Sequence, residues 1–176
     1  NIVYSTNSPS IMYTTFTDLS VAKGLNGATS GAAGTHTARG QLNGGHAFGS
    51  TVFSSNGSDN AGFTGDIGEL IIYGNGNVIA AERNKVESYL AIKYGVTLQN
   101  SNNYTTSQNV VVWDATANSG FYNNVAGIGQ DFISALHQKQ SRSQHANTNN
   151  QVIIALGEIA ESNLENENQV NDGQFL

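Results

Sequence analysis

Only one stretch of this chain can carry a long amphipathic helix. Residues 80–94 (AAERNKVESYLAIKY) hold strong helix formers and no Gly or Pro, while the rest is broken by Gly, Asn and Ser at short intervals. Within this stretch Val86, Tyr89, Leu90 and Tyr94 recur at i, i+3, i+4 and i+8, which predicts a single apolar face. Glu82 near its start and Lys93 near its end complement the helix dipole, and Gly95 offers a left-handed C-terminal cap.

Elsewhere the apolar residues come in short runs bounded by turn residues, the pattern of strands. Residues 11–16 (IMYTTF) are one such run, 51–53 a second, and 63–73 (FTGDIGELIIY) the strongest, stopped by Gly74-Asn75-Gly76-Asn77. Residues 24–50 are rich in Gly, Ala, Thr and Ser without a helical period. The polar stretch 99–107 (QNSNNYTTS) marks a domain boundary, after which strand signals resume over 109–113. Residues 120–129 read as a turn and an apolar patch, 138–151 as exposed polar chain, and 152–156 (VIIAL) as a buried strand. Residues 161–173 read as an acidic, Asn-rich loop. The expected class is all-β with one amphipathic helix. Residues 1–98 form one unit with a trailing helix, and 99–176 begin a second β-rich domain.

Only 11% of residues are Asp, Glu, Lys or Arg, against roughly 25% in typical domains. Short polar side chains carry the hydrophilicity instead, which suits turns and hydrated strand faces. The net charge is −6 and no Lys/Arg cluster occurs, so nucleic acid and anionic membrane are poor partners. The absence of cysteine removes disulfides, thiol nucleophiles and Cys-based zinc sites. No apolar run reaches the roughly 18 residues that a membrane helix needs. The chain opens on a strand-like NIVY and closes on DGQFL, as expected of an internal piece of a longer polypeptide.

Two blocks carry a resemblance. Gly65-Asp66-Ile67-Gly68-Glu69-Leu70-Ile71-Ile72-Tyr73 resembles the last strand of laminin-G-like, concanavalin A-like jelly rolls. Residues 81–98 (AERNKVESYLAIKYGVTL) resemble a segment that follows such jelly rolls in large surface proteins of the Bacteroidetes type. Val112-Trp113-Asp114, the VAGIGQD run at 125–131 and the LHQKQS run at 136–141 look like the β-rich domain that comes next. The resemblance implies a partial jelly-roll β-sandwich followed by a second β-domain, in a secreted protein with adhesion, gliding or matrix roles.

It also implies a calcium ion at one rim of the sandwich. Asp66, with Asp59 assisting, is the candidate ligand pair, although Gly68 stands where many relatives have an Asp. Two carboxylates fall short of six to eight oxygens, and the plain alternative is a solvated or turn-capping Asp. Sugar binding stacks a ring on an exposed aromatic beside amides. The candidates are Trp113 with Asp114, and Tyr122 with Asn123 and Asn124; the plain alternative for both aromatics is packing, as it is for Tyr73. No paired-carboxylate glycosidase motif, nucleophile elbow, HExxH or P-loop occurs. His36, His46, His137 and His145 lie in polar segments without ligand spacing.

The expected protein is therefore a non-enzymatic binding or adhesion module at the cell surface or outside the cell. Its expected partners are a glycan or an extracellular protein, together with neighbouring modules of the same chain. The alternatives are part of a polysaccharide-degrading enzyme, or a structural filament or spacer module.

Overall fold

The computed structural model describes residues 8–16, 20–29, 34–35, 65–74, 78–99, 102–121, 123–144 and 152–176. The architecture is mainly β: small antiparallel sheets arranged about one helix.

β1 (Met12–Phe16) and β2 (Ser20–Leu25) pair antiparallel from Met12↔Leu25 to Phe16↔Val21. β3 (Ala28–Thr29) and β4 (Gly34–Thr35) both pair with β2. The β2–β3 turn is Asn26-Gly27, with φ of 47° and 86°. Asn and Gly are the residues that tolerate this left-handed geometry, and it matches the strand twist. Asn26 also receives the Ile11 N–H on its side-chain oxygen at 2.8 Å, which ties the hairpin to the chain that precedes it.

The helix α1 spans Ala80–Tyr94, as its sequence predicts, and Gly95 (φ 66°) is its left-handed cap. Its buried face differs from the predicted one. Glu87, Ser88, Ala91 and Ile92 are buried, while Val86, Tyr89, Leu90 and Tyr94 are half-buried, the last three packing against the core from its margin. Small Ser88 and Ala91 let a strand approach closely, and the Ser88 hydroxyl accepts the Thr105 N–H at 2.9 Å. A turn of the helix is thus fixed by a hydrogen bond that apolar periodicity cannot register.

β5 (Tyr104–Thr105) pairs with β6 (Val111–Trp113). β7 (Gly129–Asp131) pairs with β8 (Leu136–Gln138), and β9 (Gln140–Arg142) with β10 (Ile153–Ala155). The core gathers Ile11, Ala91, Ile92, Val96, Leu98, Tyr104 and Leu136, so it draws on residues both before and after position 98. Tyr104 is 3% exposed and its hydroxyl accepts the Leu98 N–H at 2.8 Å. Burial pushes that phenol up to about 12.

Three local expectations need correction. Residues 65–73 form no strand and pair with no strand among the described residues, and Ile67, Ile72 and Tyr73 are exposed. High β-propensity records how well a side chain fits a pleated, half-buried surface, and no described strand offers these residues one. Residues 152–156 do contain β10, but Val152 and Ile153 are exposed, and among the described residues β10 pairs with β9 alone. The polar run from 138 is the reverse case. Gln138, Lys139, Ser141 and Ser143 are buried; hydrogen bonds that involve a side chain serve Gln138, Lys139 and Ser143, while the Ser141 hydroxyl has no partner. The predicted strand at 51–53 lies outside the described residues.

The buried polar run is held by amides. Asn163 Oδ1 accepts the N–H groups of Lys139 (2.6 Å) and Gln140 (3.2 Å), while its Nδ2 donates to the His137 carbonyl. Asn166, 2% exposed, donates to the carbonyls of Leu156 and Glu158. Lys139 Nζ donates to the carbonyls of Leu164 and Asn166. The Asn-rich loop 156–168 is stapled to β8 and β9 by side chains, which gives one physical use for the Asn- and Gln-rich, charge-poor composition.

Candidate functional site

A cleft of about 350 Å³ lies along α1 at the edge of the core, and the core residues Ile92 and Leu136 reach its lining. The helix contributes Glu82, Lys85, Val86 and Tyr89, so part of the predicted apolar face lines a cavity. Glu69, Ile71 and Tyr73 form a second wall. Thr105, Thr106 and Ser107, from β5 and the turn after it, and Asp131, Ile133 and Ser134, from the β7–β8 turn region, complete the polar lining. Ile92, Leu136 and Phe175 supply further apolar surface.

Glu69 is the knot of one wall. It accepts hydrogen bonds from Tyr89 Oη (3.1 Å), Lys93 Nζ (2.9 Å) and Tyr94 Oη (3.2 Å). Lys93 also donates to Tyr89 Oη at 2.7 Å. Burial pushes the Glu69 carboxyl up, but the donors Lys93, Tyr89 and Tyr94 outweigh it and hold the carboxyl below its ordinary value. The Tyr89 oxygen, and then the Glu69 carboxylate, raise Lys93. The spacing of Tyr89 and Lys93, four apart on one helical face, is the sequence signal for this cluster.

Asp131 organises the opposite side. It accepts the Ser107 N–H (2.8 Å) and Ser107 Oγ–H (2.7 Å), and at longer range the Ser134 N–H. Burial again pushes the carboxyl up, and the Ser107 and Ser134 donors again win, so Asp131 also sits below its ordinary value. Glu82 is held by Lys85 at 2.7 Å. All three carboxylates of the cleft are therefore tied to donors.

The residues expected from the sequence to bind sugar do not line this cleft. Trp113 is half-buried against the core. Asp114 caps a turn, with Oδ1 accepting the N–H groups of Thr116 (2.8 Å) and Ala117 (2.9 Å). Asn123 is exposed and Asn124 half-buried, and Tyr122 lies outside the described residues. Tyr73, expected to pack, is 57% exposed and lines the cleft. Asp66 is exposed and Asp59 lies outside the described residues. Among the described residues no group of three or more His, Asp or Glu is placed to hold a metal ion. His137 is half-buried on β8 and its Nε2 has no hydrogen-bond partner, while His36, His46 and His145 lie outside the described residues. Among the described residues no helix is long and apolar enough to cross a membrane.

Comparison with known proteins adds a family and no activity. No curated protein and no solved structure matches the chain significantly. One family model, described as Domain of unknown function (DUF8202), matches residues 82–176. The match takes in most of α1 and every described element after it, which is more than half of the chain. On that match, the chain belongs to the DUF8202 family.

Proposed function

We propose that this chain is a non-catalytic adhesion or binding module of a secreted or cell-surface protein, and that the cleft along α1 takes a glycan. The reading includes a concanavalin A-like jelly roll to which residues 1–98 contribute. The observation that carries it is the state of the cleft carboxylates. Each is tied to fixed donors: Glu69 to Lys93, Tyr89 and Tyr94, Asp131 to Ser107 and Ser134, and Glu82 to Lys85. The cleft presents a recognition surface: a tyrosine ring, hydroxyls from Thr105, Ser107 and Ser134, and carboxylates. These groups suit a ligand that is apolar on one face and hydroxyl-bearing at its edges. The scarcity of charge agrees with an extracellular setting.

Calorimetric titration of the purified chain with oligosaccharides of different linkage and charge tests the reading. The expected result is saturable binding that Tyr73→Ala weakens by about tenfold (about 1.4 kcal/mol) with an unchanged melting temperature. Cleavage of a bound saccharide would instead establish the enzymatic alternative. Binding that is indifferent to Tyr73 would remove the cleft from consideration.

A further inference from the structure

The three cleft carboxylates are not equivalent. Glu69 has Lys93 at 2.9 Å and Glu82 has Lys85 at 2.7 Å, so each has its own cation. Asp131 has none: among the described residues its partners are the neutral donors of Ser107 and Ser134. Yet Asp131 is only 6% exposed. A buried ionised carboxylate is usually matched by an opposite charge, because neutral hydrogen bonds alone offset its desolvation incompletely. Here the unmatched charge faces a cavity rather than the solid core. The donors at Ser107 and Ser134 hold the carboxyl in its ionised form.

Resting on the glycan reading above, we infer that the cleft selects a saccharide bearing a free, protonated amine, with Asp131 as the counter-ion for that amine. Ser107 and Ser134 flank Asp131, and Thr105 lines the same cleft, so that hydroxyls are at hand for those of a sugar. Tyr73, on the wall formed by residues 69–73, offers a ring for the apolar face of a sugar. An ammonium brought to Asp131 supplies the charge the site lacks, and the chain's net charge of −6 favours the approach of a cation. A neutral or N-acetylated sugar would meet the same hydroxyls but leave the carboxylate without a cation.

The test uses the intact chain and three tetramers of equal length: β-linked glucosamine, its fully N-acetylated form, and glucose. Titration is done in mildly acidic buffer, at low and high salt. The free-amine tetramer is expected to bind at least about tenfold tighter than either of the others, with an affinity that falls as salt rises. Asp131→Asn should lower the affinity for the free-amine tetramer at least about tenfold and abolish its dependence on salt. Should this variant fail to fold, the salt dependence and ligand ranking of the unaltered protein still decide. Equal affinity for all three overturns the amine assignment and leaves the glycan reading standing. Binding of none of them overturns both. Tight binding of a lysine-rich peptide without any tetramer overturns the saccharide assignment in favour of a protein partner.

Discussion

The ring of Phe175 lies so close to the α-carbon of Gly129 that a Cβ built there would come within 2.3 Å of it. Gly129 sits in β7, between β8 and the end of the chain, where Ile128 and Leu176 exchange N–H···O bonds of 2.9 Å in both directions. The glycine lets an aromatic ring cover the strand at a place where any side chain would displace it. Gly129→Ala should cost about 1–3 kcal/mol by overpacking. Urea unfolding of Gly129→Ala, Phe175→Ala and the double variant should show the double costing less than the sum, because the collision is gone once the ring is removed.

Gly95 should tolerate substitution even less. Its φ is +66°, and a Cβ there would come within 1.9 Å of the Arg142 carbonyl oxygen. The obstacle is backbone, and it belongs to the strand that Gly95 and Gln144 help to dock on the helix end. Gly95→Ala should lower stability by more than the roughly 1 kcal/mol typical of a left-handed cap alone. Thermal unfolding of the variant is the direct check.

The amide staple predicts a large effect from a small deletion. Asn163→Ala strips an acceptor from the N–H groups of Lys139 and Gln140 and a donor from the His137 carbonyl. Leaving such groups unpaired should cost about 1–3 kcal/mol. Hydrogen exchange at the Lys139 and Gln140 amides should speed up in this variant more than at the amides of α1.

Stability should respond to acid through two carboxyls of one sign and one of the other. Glu69 and Asp131 have folded values below the ordinary 4.5 and 3.8, so their stabilisation is complete above those values. It is lost as the pH falls through the lower folded ones. Glu87 is the opposite case. Burial raises it despite the nearby Arg83 charge and the Gly27 N–H, so its protonation on acidification favours the fold. Asp131→Asn should therefore flatten the acid limb of a stability–pH profile. Glu87→Gln should remove a stabilising rise as the pH drops through the folded Glu87 value. A profile unchanged by both would refute the assignments.

Much of the framework was legible in the residues themselves. The 80–94 helix and its Gly95 cap, the β1 run, the short β6 strand and the 161–173 loop all follow from local patterns that a sequence carries within a few residues. The orientation of the helix did not. Tyr89 packs against the core as expected but also lines the cleft with Val86, while Glu87 and Ser88 are buried, because the β2–β3 turn and Thr105 bring a donor to each. The polar run at 138–143 misled for the same reason: burial of polar groups is decided by partners more than 20 residues away, such as Asn163.

The cleft was the least legible part. Its walls come from four stretches between residues 69 and 136, with Phe175 added from near residue 176. None of them holds a catalytic or ligand-binding motif: Glu69 and Asp131 stand in the blocks that carry the resemblance, and nothing in those blocks marks either as part of a cleft with Ser107. By itself the sequence determined where the chain can be helical, where it must turn and how little charge it carries, because these depend on each residue and its near neighbours. Only the tertiary structure decided which polar groups are buried and which carboxylate is left without a cation. Those are properties of distances between residues, and composition and periodicity do not contain them.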